Sequence, residues 1–348
     1  MSANRSDGDG LVTPLPYVKG ACFRIKSHRP PHPLDTGRWY RMPPIEQWNW
    51  KPWSESKDVP KTMLEKCLKH PPIVTDPPKD QDVRNLVITR QIRCGEGFDA
   101  QLVECHLGNP KNKFVAKIFD PLYLNLNGYE NYSPTYFCER HYSCEAAAYQ
   151  RIKERGLDGR FTPRFEGSWS FEIPVRIDKD REVRREVRLI LQELIPGDTV
   201  KAFIESKAAQ KINPAIRMEL LAHLMETYSH LDFIGVRHGD TYTRNAMVYK
   251  DPKDRWHITL IDFSHSGVSG TPTSKWRGRQ DEHAELPRSP IAICWGNWPL
   301  YPLKDIEEHW IDPRFRDRSA RLCWMDKQWG KASGKSSQYQ PVDEDDLD

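Results

Sequence analysis

The stretch from Gly235 to Ser266 constrains this chain more than any other, because it fixes three polar side chains around two short apolar runs. It reads Gly-Val-Arg-His-Gly-Asp-Thr-Tyr-Thr-Arg-Asn-Ala-Met-Val-Tyr, then a polar turn, then Trp-His-Ile-Thr-Leu-Ile-Asp-Phe-Ser-His-Ser. Ala246 to Tyr249 and Trp256 to Ile261 flank the turn Lys250 to Arg255, where Asp251-Pro252 favours a reversal, so the spacing predicts a β-hairpin. Asp240 and Asn245 precede the first strand and Asp262 follows the second. Antiparallel pairing brings all three to one end of the hairpin, a geometry suited to holding a metal-bound nucleotide.

At 348 residues the chain has room for one large or two modest domains. The formal charge of +3 is nearly balanced and the two signs are interspersed, which argues against a dedicated nucleic-acid surface. The eight cysteines are scattered, with no Cys-x-x-Cys pair and no secretory apolar segment at the start. Reduced thiols in a cytoplasmic or nuclear protein are expected. No apolar run approaches the roughly 20 residues that span a bilayer, so no membrane partner is expected.

The first 80 residues carry 13 of the 28 prolines and the cluster Trp39, Tyr40, Trp48, Trp50 and Trp53. Dense prolines remove backbone donors and favour extended segments, so regular structure is not expected there beyond a short helix at Thr62 to Lys69. Exposed tryptophans need covering. An arm laid onto the folded domain and a segment that recognises a protein partner both satisfy that need, and the composition leaves both open. At the other end, Lys331 to Gln340 is small and polar and Asp343 to Asp348 almost wholly acidic, so a disordered tail is expected.

Between these ends, Val83 to Ile92 and Ala100 to Leu107 read as strands joined by Cys94-Gly95-Glu96-Gly97-Phe98. Gly95 and Gly97 would let backbone amides approach a phosphate closely. In Lys113 to Phe119, period two puts Lys117 between Val115 and Phe119 on an apolar face, where a charge needs an anionic partner. The following helix, Thr135 to Arg155, ends at Gly156. Tyr142, Glu145, Tyr149 and Ile152 share its apolar stripe, whereas Glu139 and Glu154 fall elsewhere. Glu145 is therefore the expected partner of Lys117.

Arg164 to Phe171 and Glu186 to Ile195 read as further strands, with Ile177 to Arg185 a solvated hairpin tip between them. The second runs through Gln192-Glu193-Leu194-Ile195 into Pro196-Gly197, which suits a hinge. A short helix is expected within Asp198 to Ser206, and a longer one after the Asn213-Pro214 cap. Ile216, Leu220, Leu221, Leu224, Met225, Tyr228 and Leu231 give the longer helix a broad stripe that ends near Gly235. Beyond Asp262 the chain is polar until Ile291, and a last helix is expected near Asp305 to Trp310.

Lys117, Glu145, Asp240, Asn245 and Asp262, in this order and spacing, resemble the polar set of the protein-kinase-like superfamily, over roughly Val83 to Ser266. The runs "VAKIFDPLY", "CEAAAYQRI", "LILQELIPG" and "HGDTYTRNAMV" are closest in flavour to uncharacterised fungal protein-kinase-like proteins, and more distantly to aminoglycoside and choline phosphotransferases. The resemblance implies an α+β, bilobal fold. Its parts would be a Pro/Trp-rich arm over 1–80, a β-rich N-lobe and hinge over 81–197, a mainly helical, shortened C-lobe over 198–330, and a tail over 331–348.

It also implies ATP and Mg²⁺ as cofactors and a hydroxyl acceptor, more fittingly a small molecule than a protein. Asp240 would orient or deprotonate the acceptor, Asn245 and Asp262 would hold Mg²⁺, and Lys117, fixed by Glu145, would neutralise phosphate charge. Gly95 and Gly97 would cover the phosphates. The backbone of Glu193 and Ile195 would bind adenine beside Gln192. Three positions depart from the protein-kinase pattern. Gly239 replaces an arginine, Tyr242 stands where a lysine is common with Arg244 two residues on, and Ser264 replaces the glycine after Asp262-Phe263. A protein Ser/Thr kinase and a pseudokinase scaffold remain the alternatives.

Overall fold

Strands with alternate residues buried make up the first part of the molecule. The structure, a computed structural model, describes residues 14–33, 59–126, 130–178, 180–271, 284–294 and 304–342. The Trp39 to Trp53 cluster and Asp343 to Asp348 lie outside them. Two compact units emerge, one drawn from residues 1–150, 164–194 and 271–275, the other from 151–163, 195–270 and 276–348.

In the first unit the elements are β1 (Cys22–Ser27), α1 (Met63–Lys69), β2 (Val83–Arg93), β3 (Gln101–Leu107), β4 (Lys113–Phe119), most of α2 (Pro134–Glu154), β5 (Phe165–Arg176) and β6 (Glu182–Glu193). The strands form a closed antiparallel barrel in the order β1-β2-β3-β4-β6-β5. Ile25, Ile88, Val103, Ile118, Phe171 and Leu189 are among the side chains that fill it.

The N-terminal arm was expected to lack strands, yet β1 lies in it. Cys22 to Ser27 is free of proline and buries Ile25 between exposed neighbours, so it meets β2 as an ordinary strand, from Cys22↔Val87 to Lys26↔Val83. Just before it, the buried Tyr17 hydroxyl donates to Asp120, and Gln91 Nε2 donates to Tyr17 O at 2.8 Å.

The expected solvated tip from Ile177 to Arg185 is also corrected, because β6 begins within it at Glu182 and pairs with a longer β5, from Phe165↔Gln192 to Arg176↔Glu182. Arg185 is buried and grips Asp120 with two nitrogens, Nη2 lying 2.7 Å from Oδ2. Burial alone would push the guanidinium down; the Asp120 carboxylate holds it well above its ordinary value. Glu139, placed off the apolar stripe, is buried as well. Its Oε1 accepts from Arg188 Nε at 3.2 Å, and Arg188 Nη2 donates to Ile73 O at 2.9 Å.

The second unit contains the last turn of α2, then β7 (Gly197–Thr199), α3 (Val200–Glu205), α4 (Pro214–Phe233), β8 (Val236–Arg237), β9 (Ala246–Lys250), β10 (Trp256–Leu260), β11 (Gly267–Val268), α5 (Pro290–Cys294), α6 (Lys304–His309) and α7 (Arg318–Trp329). Asn213 Oδ1 accepts from Ala215 N at 2.9 Å and Pro214 opens α4, as the cap pair predicts. Leu220, Leu221, Leu224, Met225 and Leu231 of the stripe are buried. β7, β9 and β10 form one small sheet, β8 and β11 another.

Residues 331–342 dock rather than trail. Lys335 Nζ lies 2.5 Å from Glu226 Oε1, Tyr339 is buried, and Gln340 N donates to Pro287 O at 2.8 Å. One aromatic ring and one ion pair suffice to anchor a stretch whose composition is otherwise polar. No helix among the described residues is long and apolar enough to cross a membrane.

Two outcomes follow for stability. Asp120→Ala strands Arg185 in the barrel and is expected to cost about 3–5 kcal/mol, whereas Tyr17→Phe removes one hydrogen bond and is expected to cost about 1 kcal/mol; urea unfolding of both variants checks this. His28 accepts from Tyr142 at Nδ1 (2.7 Å) and meets Thr75 Oγ1 at Nε2 (3.1 Å). Burial, then the nearby Arg188, push its pKa from 6.5 down to about 3. The unfolded chain thus takes up a proton that the folded chain refuses, so this contribution is complete above pH 6.5 and fades as the pH falls toward 3. His28→Gln should lose less stability than wild type between pH 7 and 4.5, read from urea midpoints at each pH.

Candidate functional site

In the first unit, the ladder sets Lys117 opposite Leu102 on one side and Ile190 on the other, which buries it. Its ammonium Nζ lies 2.6 Å from Glu145 Oε2, and the Glu145 side chain is fully buried. Both Glu139 and Glu145 reach buried cations, so the α2 surface that meets Lys117 also meets Arg188 and, through Tyr142, His28.

The glycine turn closes on itself. Gly95 N donates to Gln101 Oε1 at 2.7 Å, and Gln101 Nε2 donates back to Gly95 O at 2.9 Å. Gly95 and Gly97 both have positive φ, 136° and 91°, where other residues are strained. The Gly95 amide is therefore committed to the protein, contrary to the expectation that it is available to a phosphate. Nothing in the sequence marks the buried Gln101 as the partner of this turn.

At the end of β6, Gln192 Oε1 accepts from Tyr149 OH at 3.0 Å, with Tyr149 stacked on Phe165. Glu193 N donates to Arg164 O at 3.0 Å, and its carboxylate binds Arg164 Nη2 at 3.0 Å. In the second unit, Ile195 O accepts from Gly197 N at 3.0 Å.

The hairpin forms as its spacing predicts, from Trp256↔Lys250 to Leu260↔Ala246. One step further, Ile261 N donates to Asn245 O at 2.8 Å, so Asp262 directly follows the residue bonded to Asn245. Asn245 Nδ2 donates to Asp240 O (2.8 Å) and to Asp240 Oδ2 (2.7 Å). With its nitrogen turned to Asp240, the Asn245 side chain has only its oxygen to offer a cation. Asp240, Asn245 and Asp262 thus gather at one end of the hairpin.

Asp262 holds φ at 65°, and its Oδ1 accepts from Ser264 Oγ at 2.6 Å. A hydroxyl in place of a hydrogen therefore fastens the carboxylate. Asp240 N donates to His238 Nδ1 (3.2 Å), which makes Nε2 the protonated nitrogen that donates to Ile261 O (2.9 Å). His238 was not anticipated as a brace, because one histidine in a loop carries no such signal in sequence. Arg244 Nη2 donates to both Asp240 oxygens, at 2.9 and 2.8 Å, and its guanidinium carbon sits 4.1 Å from the Tyr242 ring centre.

Gly239 is fixed by geometry. Its φ is +78°, and a Cβ there would come 2.1 Å from His265 O. An arginine at this position would collide with backbone. Both Asn245 and Asp262 present oxygen, the donor that hard Mg²⁺ prefers. Among the described residues no group of three or more His, Cys, Asp or Glu side chains is gathered that would hold a metal.

Residues 175–298 match the model of the lipopolysaccharide kinase (Kdo/WaaP) family. This part of the chain is protein-kinase-like. The matched kinase-like region contains Asp240, Asn245 and Asp262, while Lys117 and Glu145 precede it. The chain is also similar to the EKC/KEOPS complex subunit Tp53rkb of Mus musculus, 31% identical over 87 residues, which make up 25% of this chain and 35% of that protein. Among solved structures it overlaps a crystal structure of a kinase domain at 12% identity and a TM-score of 0.36, over 53% of this chain and 52% of the other. That overlap is too loose to transfer any residue's role.

Gly239→Ala, the smallest change that adds a Cβ, is expected to strain the loop by about 1–3 kcal/mol. A lower melting temperature together with faster amide exchange at Asp240 to Asn245 checks it. An unchanged melt would show that the His265 carbonyl gives way.

Proposed function

We propose that this protein is an ATP- and Mg²⁺-dependent phosphotransferase that moves the γ-phosphate to a hydroxyl, with a small molecule rather than a protein chain as acceptor. The observation that carries the reading is the Asn245 side chain, which turns its nitrogen to Asp240 and so leaves an oxygen for a cation at the end of the hairpin where Asp262 stands. In this reading Asn245 and Asp262 supply two oxygen ligands and the nucleotide's phosphates supply others. Asp240 accepts or orients the acceptor's proton, and Lys117, held by Glu145, neutralises phosphate charge. The fold would be bilobal, with the residue 81–197 segment as N-lobe and 198–330 as C-lobe. Glu193 and Ile195 would contribute carbonyl and amide to adenine, and Gly97 rather than Gly95 the amide nearest the phosphates.

Two points support a non-protein acceptor. The matched family is named for lipopolysaccharide kinases. The Gly239 backbone also leaves no room for the arginine through which protein kinases couple this loop to a phosphorylated segment. The mouse relative is named as a subunit of a complex, which is consistent with a protein partner for the N-terminal arm. A cytoplasmic or nuclear setting and the likeness to fungal kinase-like proteins belong to the same proposal.

One observation favours a second reading. Arg244 spans both oxygens of Asp240, which satisfies the proposed base with a cation and suits a nucleotide-binding protein that does not transfer. Turnover separates the two. Calorimetry with ATP and Mg²⁺ is expected to show saturable binding that weakens at least about tenfold in Lys117→Ala and in Asp262→Ala. Asp240→Asn, which keeps an oxygen for the Asn245 amide, should bind ATP normally and transfer nothing in an acceptor screen. Absence of binding by well-folded wild type would refute both readings, whereas binding without transfer to any acceptor would leave the scaffold.

A further inference from the structure

The barrel has an incomplete seam. β1 and β5 pair at Lys26↔Ser170 and Ser27↔Trp169, and His28 N donates to Ser168 O at 2.8 Å. Continued in the same register, Arg24 would face Glu172 and Cys22 would face Pro174, but the ladder stops at Lys26. A cleft of about 560 Å³ opens there instead, lined by Cys22, Arg24, Lys26, Glu172, Pro174 and Arg184, with Phe23 also contributing.

The backbone shows which groups are left over. Ser27 N donates to Asp82 O and Ile88 N donates to Ala21 O, so the odd-numbered residues of this segment bond toward β2. The even-numbered ones aim at the seam, as His28 does. Cys22 and Arg24 therefore present amides and carbonyls to the cleft with no ladder partner among the described residues. Ser168 accepts from His28, so on β5 the even-numbered residues face the seam, and these include Pro174. Proline has no N–H, so β5 has no amide to give Cys22 at that position. On the β1 side both Cys22 and Arg24 keep an amide and a carbonyl for another strand.

The side chains specify what fits. Arg24, Lys26 and Arg184 are exposed around the cleft, against the single carboxylate of Glu172, 3.7 Å from Arg184. Phe23 is half-buried, its ring 4.9 Å from that of Phe171. A strand added to β1 would alternate, setting every second side chain among the cations and the one between over Phe23. A basic segment would meet like charge. A nucleic acid would satisfy the cations but offers no backbone ladder.

We propose that the open edge of β1, at Cys22 to Arg24, docks an extended acidic segment of a partner protein by strand addition. The segment's acidic residues face Arg24, Lys26 and Arg184, and an apolar residue covers Phe23. Main-chain bonds to Cys22 and Arg24 provide affinity, and charge sets the choice of partner. The seam belongs to the barrel alone, so this inference does not depend on phosphotransfer.

The test uses the full chain and a labelled hexapeptide, Glu-Val-Asp-Val-Glu-Val, followed by fluorescence polarisation, with Lys-Val-Lys-Val-Lys-Val as control. The acidic peptide is expected to bind, more weakly as salt rises from about 50 to 300 mM. Binding should fall at least about tenfold in the Arg24→Glu, Lys26→Glu double variant and separately in Arg184→Glu. N-methylating alternate amides of the peptide should abolish it. Hydrogen exchange should find the Cys22 and Arg24 amides unprotected in the free chain and protected with peptide, in variants whose melting matches wild type. The proposal is overturned by no binding, by equal binding of the basic peptide, or by binding that survives charge reversal. It is also overturned if the Cys22 and Arg24 amides are already protected without peptide, which would mean that the chain's own residues fill the seam.

Discussion

A buried cation must have a counter-charge, and three of them govern how the first unit is assembled. Lys117, Arg185 and Arg188 all project from barrel strands into surroundings with little water. Each finds its carboxylate off the sheet, at Glu145 and Glu139 on α2 and at Asp120 just after β4. Removing one partner of such a pair leaves a charge that neither solvent nor packing can accommodate. The docking of α2 is thus set by charge matching as well as by its apolar stripe, and that docking holds the Lys117 ammonium in place.

The hairpin in the second unit meets a different requirement, which is to hold acidic side chains close together without letting them move. Its means are mostly backbone bonds and neutral donors. Ile261 clips Asn245, Asn245 clips Asp240, His238 ties the Asp240 amide to the Ile261 carbonyl, and Ser264 fastens Asp262. In the proposed phosphotransferase this rigidity would serve transfer, because a phosphoryl group in flight is stabilised mainly by positioning and by preset charge. Gly239 is part of the same economy of space, since the loop passes so near His265 that only hydrogen fits.

The N-terminal segment belongs to the barrel rather than standing beside it. β1 completes the sheet, Tyr17 caps the Asp120–Arg185 pair, and His28, Ile73 and Thr75 reach partners on α2 or β6 or on one another. Through them the segment touches the face of α2 that carries Glu145. The closure is short, however: β1 and β5 pair only at Lys26↔Ser170 and Ser27↔Trp169, and Pro174, opposite Cys22, has no amide to extend it.

The hairpin, the Lys117–Glu145 pair and the Asn213-Pro214 cap were legible in the sequence because each rests on local rules. Period two fixes which strand residues share a face, period 3.6 fixes which helix residues do, and a turn of six residues fixes which ends meet. What the sequence hid depended on contacts between distant segments. Arg185 and Glu139 look like surface charges until Asp120 and Arg188 are set against them. Gly95 looks like a phosphate-binding amide until Gln101 takes it, and β1 lies unremarked among prolines until β2 and β5 offer it neighbours. By itself, then, the sequence determined the local elements and the order of the polar residues along them. Only the tertiary structure decided which charges are buried, which amides remain available and where the barrel stays open, because burial and pairing are properties of neighbours that the chain brings together only when it folds.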